Sequence, residues 1–201
     1  MSGILAQNSA RNTGLIKASS GGGGTWNLIQ TQTASSSATI SFTSGIDSTY
    51  SIYVFKWISC HPETNNVKFQ AGFRDGSTDY DATVTSTAFN ATADEADTDA
   101  GLNYQRARDL AQSTNFQDLT AFNGNQNDSA TSGEMFLHEP SSTTFVKHFF
   151  SRSQQMNVEA PYSTDDFRSG YCNTTSAIDG VQFKMSSGNI DAGTISLYGI
   201  L

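Results

Sequence analysis

Three acidic residues at alternate positions, Glu95, Asp97 and Asp99, are the nearest this chain comes to a calcium loop, in which carboxylates at every second residue converge on a hard cation. The pattern then fails. Ala100 stands where such a loop needs glycine, and Arg106 stands where it needs a bidentate glutamate, so the stretch reads better as a solvated acidic loop. His61 adjoins Cys60 and His138 adjoins Glu139, but neither pair has a third ligand at a zinc spacing. A Ser-His-Asp set can be drawn from any chain this rich in serine. No GxSxG elbow is present to mark one serine as activated. Asp165 and Asp166 are a carboxylate pair of the kind glycoside hydrolysis uses, yet neighbours on an extended segment point to opposite sides. Trp57, Tyr162 and Tyr171 have rings that stack on sugars, although aromatics more often fill cores or interfaces. No catalytic residue and no cofactor is therefore assigned, and Glu95, Asp97 and Asp99 stay as a weak calcium candidate.

The elements that would hold such residues are strands. From Ala177 to Ile200, Val181, Phe183 and Met185 alternate with Gln182 and Lys184, Ser186-Ser187-Gly188-Asn189 offers a turn, and Ile195 and Leu197 alternate with polar neighbours. This reads as a closing hairpin. Its apolar face requires a partner sheet. Upstream, TWNLIQTQ and ATISFT read as two strands, and TYSIYVFKWISC places Ile52, Val54 and Ile58 on one side and Tyr53, Phe55 and Trp57 on the other. A strand apolar on both sides is either covered on both or turns one face to another subunit, which makes Tyr53, Phe55 and Trp57 a candidate subunit interface. VKFQAGFR, GEMFLHE, TTFVKHFFSRS and GYCNTT complete a set of about nine strands.

Between Tyr80 and Gly133 the period of two lapses. An acidic segment followed by LNYQRARDLAQ suits a short helix, so residues 80–133 are expected to be a surface insertion of loop and helix. Residues 1–24 are expected to lie outside the globule, since two apolar pairs, Ile4-Leu5 and Leu15-Ile16, sit among small polar residues and four glycines follow as a flexible joint. Those pairs are the candidate contacts by which an arm docks on a partner. Residues 25–201 are then one all-β domain, a jelly-roll-like antiparallel β-sandwich.

At 201 residues such a domain buries enough surface to need no staples, so Cys60 and Cys172 are either free thiols or a disulfide. A net charge of −8 disfavours nucleic acid and anionic membrane as partners. Residues 1–20 lack the layout of a signal peptide and no apolar run is long enough to span a bilayer, so the expectation is a protein made and soluble in a cytoplasm.

Three blocks carry a resemblance: MSGILAQNSARNTGLIKA, WNLIQTQTASSSATISFTSGIDSTYSIYVFKWISCHP and AIDGVQFKMSSGNIDAGTISLYGI. They resemble virion structural proteins of tailed bacteriophages of marine bacteria, including cyanophages. The likeness covers most of the chain, is weakest over Tyr80 to Gly133, and brings no catalytic motif with it. GTISLYGI resembles the closing strand of that group, and the N-terminal block resembles the arms by which phage appendage proteins attach to the particle. It implies a non-enzymatic component assembled in the host cytoplasm with other virion proteins, capsid or tail, as a homo-oligomer with a trimer favoured. The competing expectation is a host-receptor or glycan-binding module that reads a host surface glycan through residues 80–133; a glycan depolymerase ranks third.

Overall fold

The alternation of apolar and polar residues resolves into twelve strands among the residues described by the computed structural model, 25–157 and 162–200. These are β1 (Asn27–Ser37), β2 (Ile40–Phe42), β3 (Ile52–Pro62), β4 (Phe69–Arg74), β5 (Val84–Asp94), β6 (Ala100–Tyr104), β7 (Gln117–Asp118), β8 (Thr131–His138), β9 (Lys147–Met156), β10 (Tyr162–Cys172), β11 (Gly180–Met185) and β12 (Ile190–Ile200). They form two antiparallel sheets, one ordered β1-β12-β3-β8-β9-β10-β5-β6 and the other β2-β11-β4-β7. The chain is thus an all-β sandwich, with eight strands over four. No helix long and apolar enough to cross a membrane occurs among the described residues. Ile4, Leu5, Leu15 and Ile16 lie outside the described residues.

The core sits between the sheets. Tyr53, Phe55 and Trp57 of β3 are buried in it, and Phe183 of β11 packs its ring against Phe42, Phe55, Trp57 and Phe69 at centroid distances of 5.4–6.2 Å. Gly133 on β8 faces Trp57 across the ladder, and a Cβ there would meet the indole at 2.7 Å, so glycine leaves the space that the indole takes. The candidate interface of Tyr53, Phe55 and Trp57 is thereby corrected. These side chains point toward the smaller sheet, and the opposite side of β3 is the one turned outward.

The closing segment also differs from a hairpin. β11 pairs with β2 and β4 in the smaller sheet, whereas β12 pairs with β1 and β3 in the larger one, so the turn at 186–189 carries the chain from one sheet to the other. The inward faces are those expected: Val181, Phe183, Met185, Ile195 and Leu197 are all buried. The first strand lies beside the last, with Gln32 opposite Ile195 and Leu28 opposite Tyr198.

Residues 80–133 are not an insertion of loop and helix. They contain β5, which pairs along its whole length with β10, then the edge strand β6, and β7 of the smaller sheet. The expected helix is absent because LNY is the end of β6, held to β5 by a turn in which the Asp94 carboxylate accepts hydrogen bonds from the Thr98 and Asp99 amides and the Thr98 hydroxyl. Of GYCNTT only Gly170, Tyr171 and Cys172 are in a strand, as the end of β10, and the inward residues before them, Thr164, Asp166 and Arg168, are polar.

Cys60 and Cys172 are free and fully buried. Burial pushes the Cys60 thiol up to about 12 and raises that of Cys172 as well. Neither should react with a thiol-specific disulfide reagent at pH 8 while the protein is folded, and both should react once denaturant unfolds it. Fast labelling of the native chain would contradict the packing around them.

Candidate interaction surface

The two faces of the larger sheet have opposite character. Its inner face meets the smaller sheet, while on its outer face cross-strand neighbours line up in rows that continue from strand to strand. One row runs Lys56, Glu134, Arg152, Phe167, Phe89, Tyr104 across β3, β8, β9, β10, β5 and β6. The row beside it runs Leu28, Tyr198, Val54, Phe136, Phe150. Phe89 stacks on Phe167 at 4.8 Å, Phe136 stacks on Phe150 at 4.7 Å, and the Arg152 guanidinium lies 5.2 Å from the centre of Phe167. Cross-strand aromatic pairs of this kind hold a sheet face flat and ordered.

Charges on this face are paired within it. Lys56 Nζ is 3.3 Å from Glu134, and Arg152 donates from Nε and Nη2 to Asp165 at 3.0 and 2.6 Å. A shallow cleft of about 570 Å³ lies between these pairs, bordered by Ile58 and Gln154. Large apolar side chains remain open to solvent around it: Ile58 is 63% exposed, Leu102 74% and Phe150 45%. At the β1 edge, Trp26 folds over the face with its ring 5.6 Å from Tyr198 and 6.1 Å from Phe136, beneath the Lys56 ammonium. Val54, an outward residue, is fully buried at that end.

The inner face of β9 and β10 is polar instead of apolar, and it binds the segment 105–123. Arg168 donates from Nη2 to Asp166 at 2.9 Å, from Nε to the Asp118 carbonyl at 2.8 Å, and from Nη1 to the carbonyls of Phe89 and Phe167. Gln155 donates to Asp166 and to the Ala121 carbonyl, and Gln117 donates to the carbonyls of Arg108 and Asp118. Asp166 and Arg168 are both fully buried, and burial raises the Asp166 carboxyl above its ordinary value while Arg168 pulls it back. The Asp118 carboxylate takes Gln70, Arg108 and Lys68. The charged groups pair with one another and fasten the segment, while Gln117 Oε1, Gln155 Oε1 and Arg108 Nε are buried in the network with no hydrogen-bond partner. A second cleft, of about 380 Å³, opens beside it, but its cations are committed likewise, Lys68 and Arg108 to Asp118 and Lys184 to the Phe116 ring.

The residues singled out for chemistry are not brought together. Glu95, Asp97 and Asp99 lie at the tip of the β5–β6 turn, and no group of three or more His, Cys, Asp or Glu among the described residues has a metal-holding arrangement. Asp165 points outward to Arg152 and Asp166 inward to Arg168, as extended neighbours must. His61 has Nδ1 3.4 Å from Asp191, but its Nε2 is engaged 3.1 Å from the Gln126 carbonyl, where a serine hydroxyl would have to sit in a triad. Trp57 is inside, Tyr162 donates to Asp99, and Tyr171 packs edge-on to His148. Phe89, Tyr104 and Phe150, three exposed rings of the outer face, are ones that sequence reading passed over. Phe150 carried a signal, since Phe149 and Phe150 together require one ring outside.

Fold and surface define the chain as a two-sheet antiparallel β-sandwich with an aromatic outer face. Compared with protein-family models, with curated proteins and with solved structures, it matches none.

Proposed function

We infer that this chain is a non-enzymatic structural protein of a tailed-phage particle, a β-sandwich head that packs against other virion proteins or further copies of itself, in the capsid surface or a tail-associated fibre. The observation that carries the reading is the outer face of the larger sheet, where Ile58, Phe89, Leu102, Tyr104 and Phe150 stay open to solvent around the Lys56–Glu134 and Arg152–Asp165 ion pairs. Surfaces of this kind mark contact with another macromolecule. The three sequence blocks that resemble marine phage virion proteins supply the kind of assembly, and residues 1–24 supply its attachment arm.

Phe89→Asp combined with Leu102→Asp tests this reading. Leu102 is 74% exposed and Phe89 loses mainly its stacking on Phe167, so the head should fold with its melting temperature lowered by only about 2–6 °C, while incorporation into particles should fall about tenfold or more, as loss of a contact hot spot does. Full incorporation of the folded variant would contradict the assignment. The second reading, a glycan-binding module, draws on the cleft that sets Arg152, Gln154 and Asp165 beside the Phe167 ring. It is tested by a glycan array probed with the wild-type chain, on which binding abolished by Arg152→Ala would favour it.

A further inference from the structure

The edges of the two sheets are not alike. In the smaller sheet they are β2 and β7, of three and two residues, and in the larger sheet β1 is broken by a register shift between Leu28 and Gln30. Short or bulged edge strands keep unpaired backbone from recruiting another chain. The remaining edge, β6, has neither device. Its residues, Ala100-Gly101-Leu102-Asn103-Tyr104, are all exposed, pair with β5 without a register shift, and include no proline and no charge.

The ladder fixes which backbone groups β6 leaves open. The Asp94 amide donates to the Asp99 carbonyl and the Gln105 amide to the Ala88 carbonyl, so residue 94 with 99 and residue 88 with 105 are hydrogen-bonded pairs at the two ends of the β5–β6 ladder. Such pairs alternate with unbonded ones in an antiparallel ladder. Gly101 and Asn103 therefore spend their N–H and C=O groups on Thr92 and Asn90, whereas Ala100, Leu102 and Tyr104 turn theirs away from the sheet. That rim is complementary to itself. An antiparallel copy of β6, centred Leu102 on Leu102, sets Ala100 of each copy against Tyr104 of the other and closes about six backbone hydrogen bonds across a two-fold axis. The two Leu102 side chains, on the outer face with Tyr104, then meet side by side.

Charge agrees with the same register. Beyond β6 it carries Arg106 of each copy to position 98 of the other, in the β5–β6 turn where Glu95 and Asp97 stand. Arg106, Glu95 and Asp97 are all exposed, and none of them forms an ion pair among the described residues. Each cation thus faces an acidic turn, although both copies are acidic overall.

We propose that two copies of this chain join through β6, antiparallel about Leu102, so that their larger sheets run on as one sheet across a two-fold axis. The inference rests on the assembly reading and deepens it by naming a second copy as one neighbour, and it can fail separately from that reading.

A contact of about five residues a side is at the small end of specific interfaces, so sedimentation equilibrium of the full chain should show monomer giving way to dimer between about 1 µM and 1 mM. Amide exchange then reads the contact. In the monomer Gly101 and Asn103 should exchange slowly and Ala100, Leu102 and Tyr104 fast; in the dimer the latter three should slow by about tenfold or more. Leu102→Pro removes one outward N–H without costing a bond to β5, and should raise the dimer Kd about tenfold or more while Gly101 and Asn103 stay protected. The wild-type exchange decides alone should the proline also loosen β6. A chain monomeric over that whole range, a dimer in which Ala100, Leu102 and Tyr104 still exchange fast, or a folded Leu102→Pro protein that dimerises like wild type would each overturn the proposal. In every one of those cases the outer face can still meet a different virion protein, so the assembly reading stands or falls on particle incorporation.

Discussion

Asp166→Ala should cost roughly 3–5 kcal/mol of folding stability, read as a shift of the urea midpoint, because it strands the Arg168 guanidinium in the interior. The two side chains lie on the inner side of β10, both without solvent contact, and Gln155 also donates to Asp166. Arg168→Ala should cost at least as much. Besides the ion pair it would leave the carbonyls of Asp118, Phe89 and Phe167 without the donors they now share. The damage should show locally as well, since Arg168 and Gln155 hold the segment 105–123 against the larger sheet; amide exchange should rise there first. An Asp166→Ala protein within 1 kcal/mol of wild type, roughly the worth of one ordinary hydrogen bond, would show that this network does not fasten the segment.

Phe183→Ala should cost a similar roughly 3–5 kcal/mol for a different reason, the cavity left among four surrounding rings. Phe150→Ala is the matched comparison. Its ring is 45% exposed on the outer face, so its loss should stay within about 1 kcal/mol, mainly the stacking on Phe136. Equal losses at the two positions would mean that the inner and outer faces of the sandwich have been exchanged.

The contrast between those two networks explains what could be read from sequence. Where the core is apolar, alternation is enough to place Val181, Phe183, Ile195 and Leu197 inside. Alternation reports which side of a strand is buried but not which sheet the strand joins, so β11 and β12 looked like a hairpin although they lie in different sheets. In β5 and β10 the inward face mixes Val84, Ala88 and Cys172 with Ser86, Asn90, Thr164, Asp166 and Arg168, and a buried face made largely of hydrogen-bonding groups has little hydrophobic period to detect. That is why residues 80–133 read as an insertion. Both sides of β3 are apolar, and alternation alone does not say which is core: Tyr53, Phe55 and Trp57 are inside, and the outward side reaches solvent through Ile58. The surface itself was hidden because its members come from strands far apart in sequence, and only the register of Arg152, Phe167, Phe89 and Tyr104 collects them.

The central claim concerns where the outer face of the larger sheet points in an assembled particle. A map of the particle at side-chain resolution tests it most directly. The expected result is that Phe89, Leu102 and Phe150 of each copy lie against a neighbouring virion protein. A particle in which this face looks out to solvent while the smaller sheet or the loops make the contacts would contradict the account.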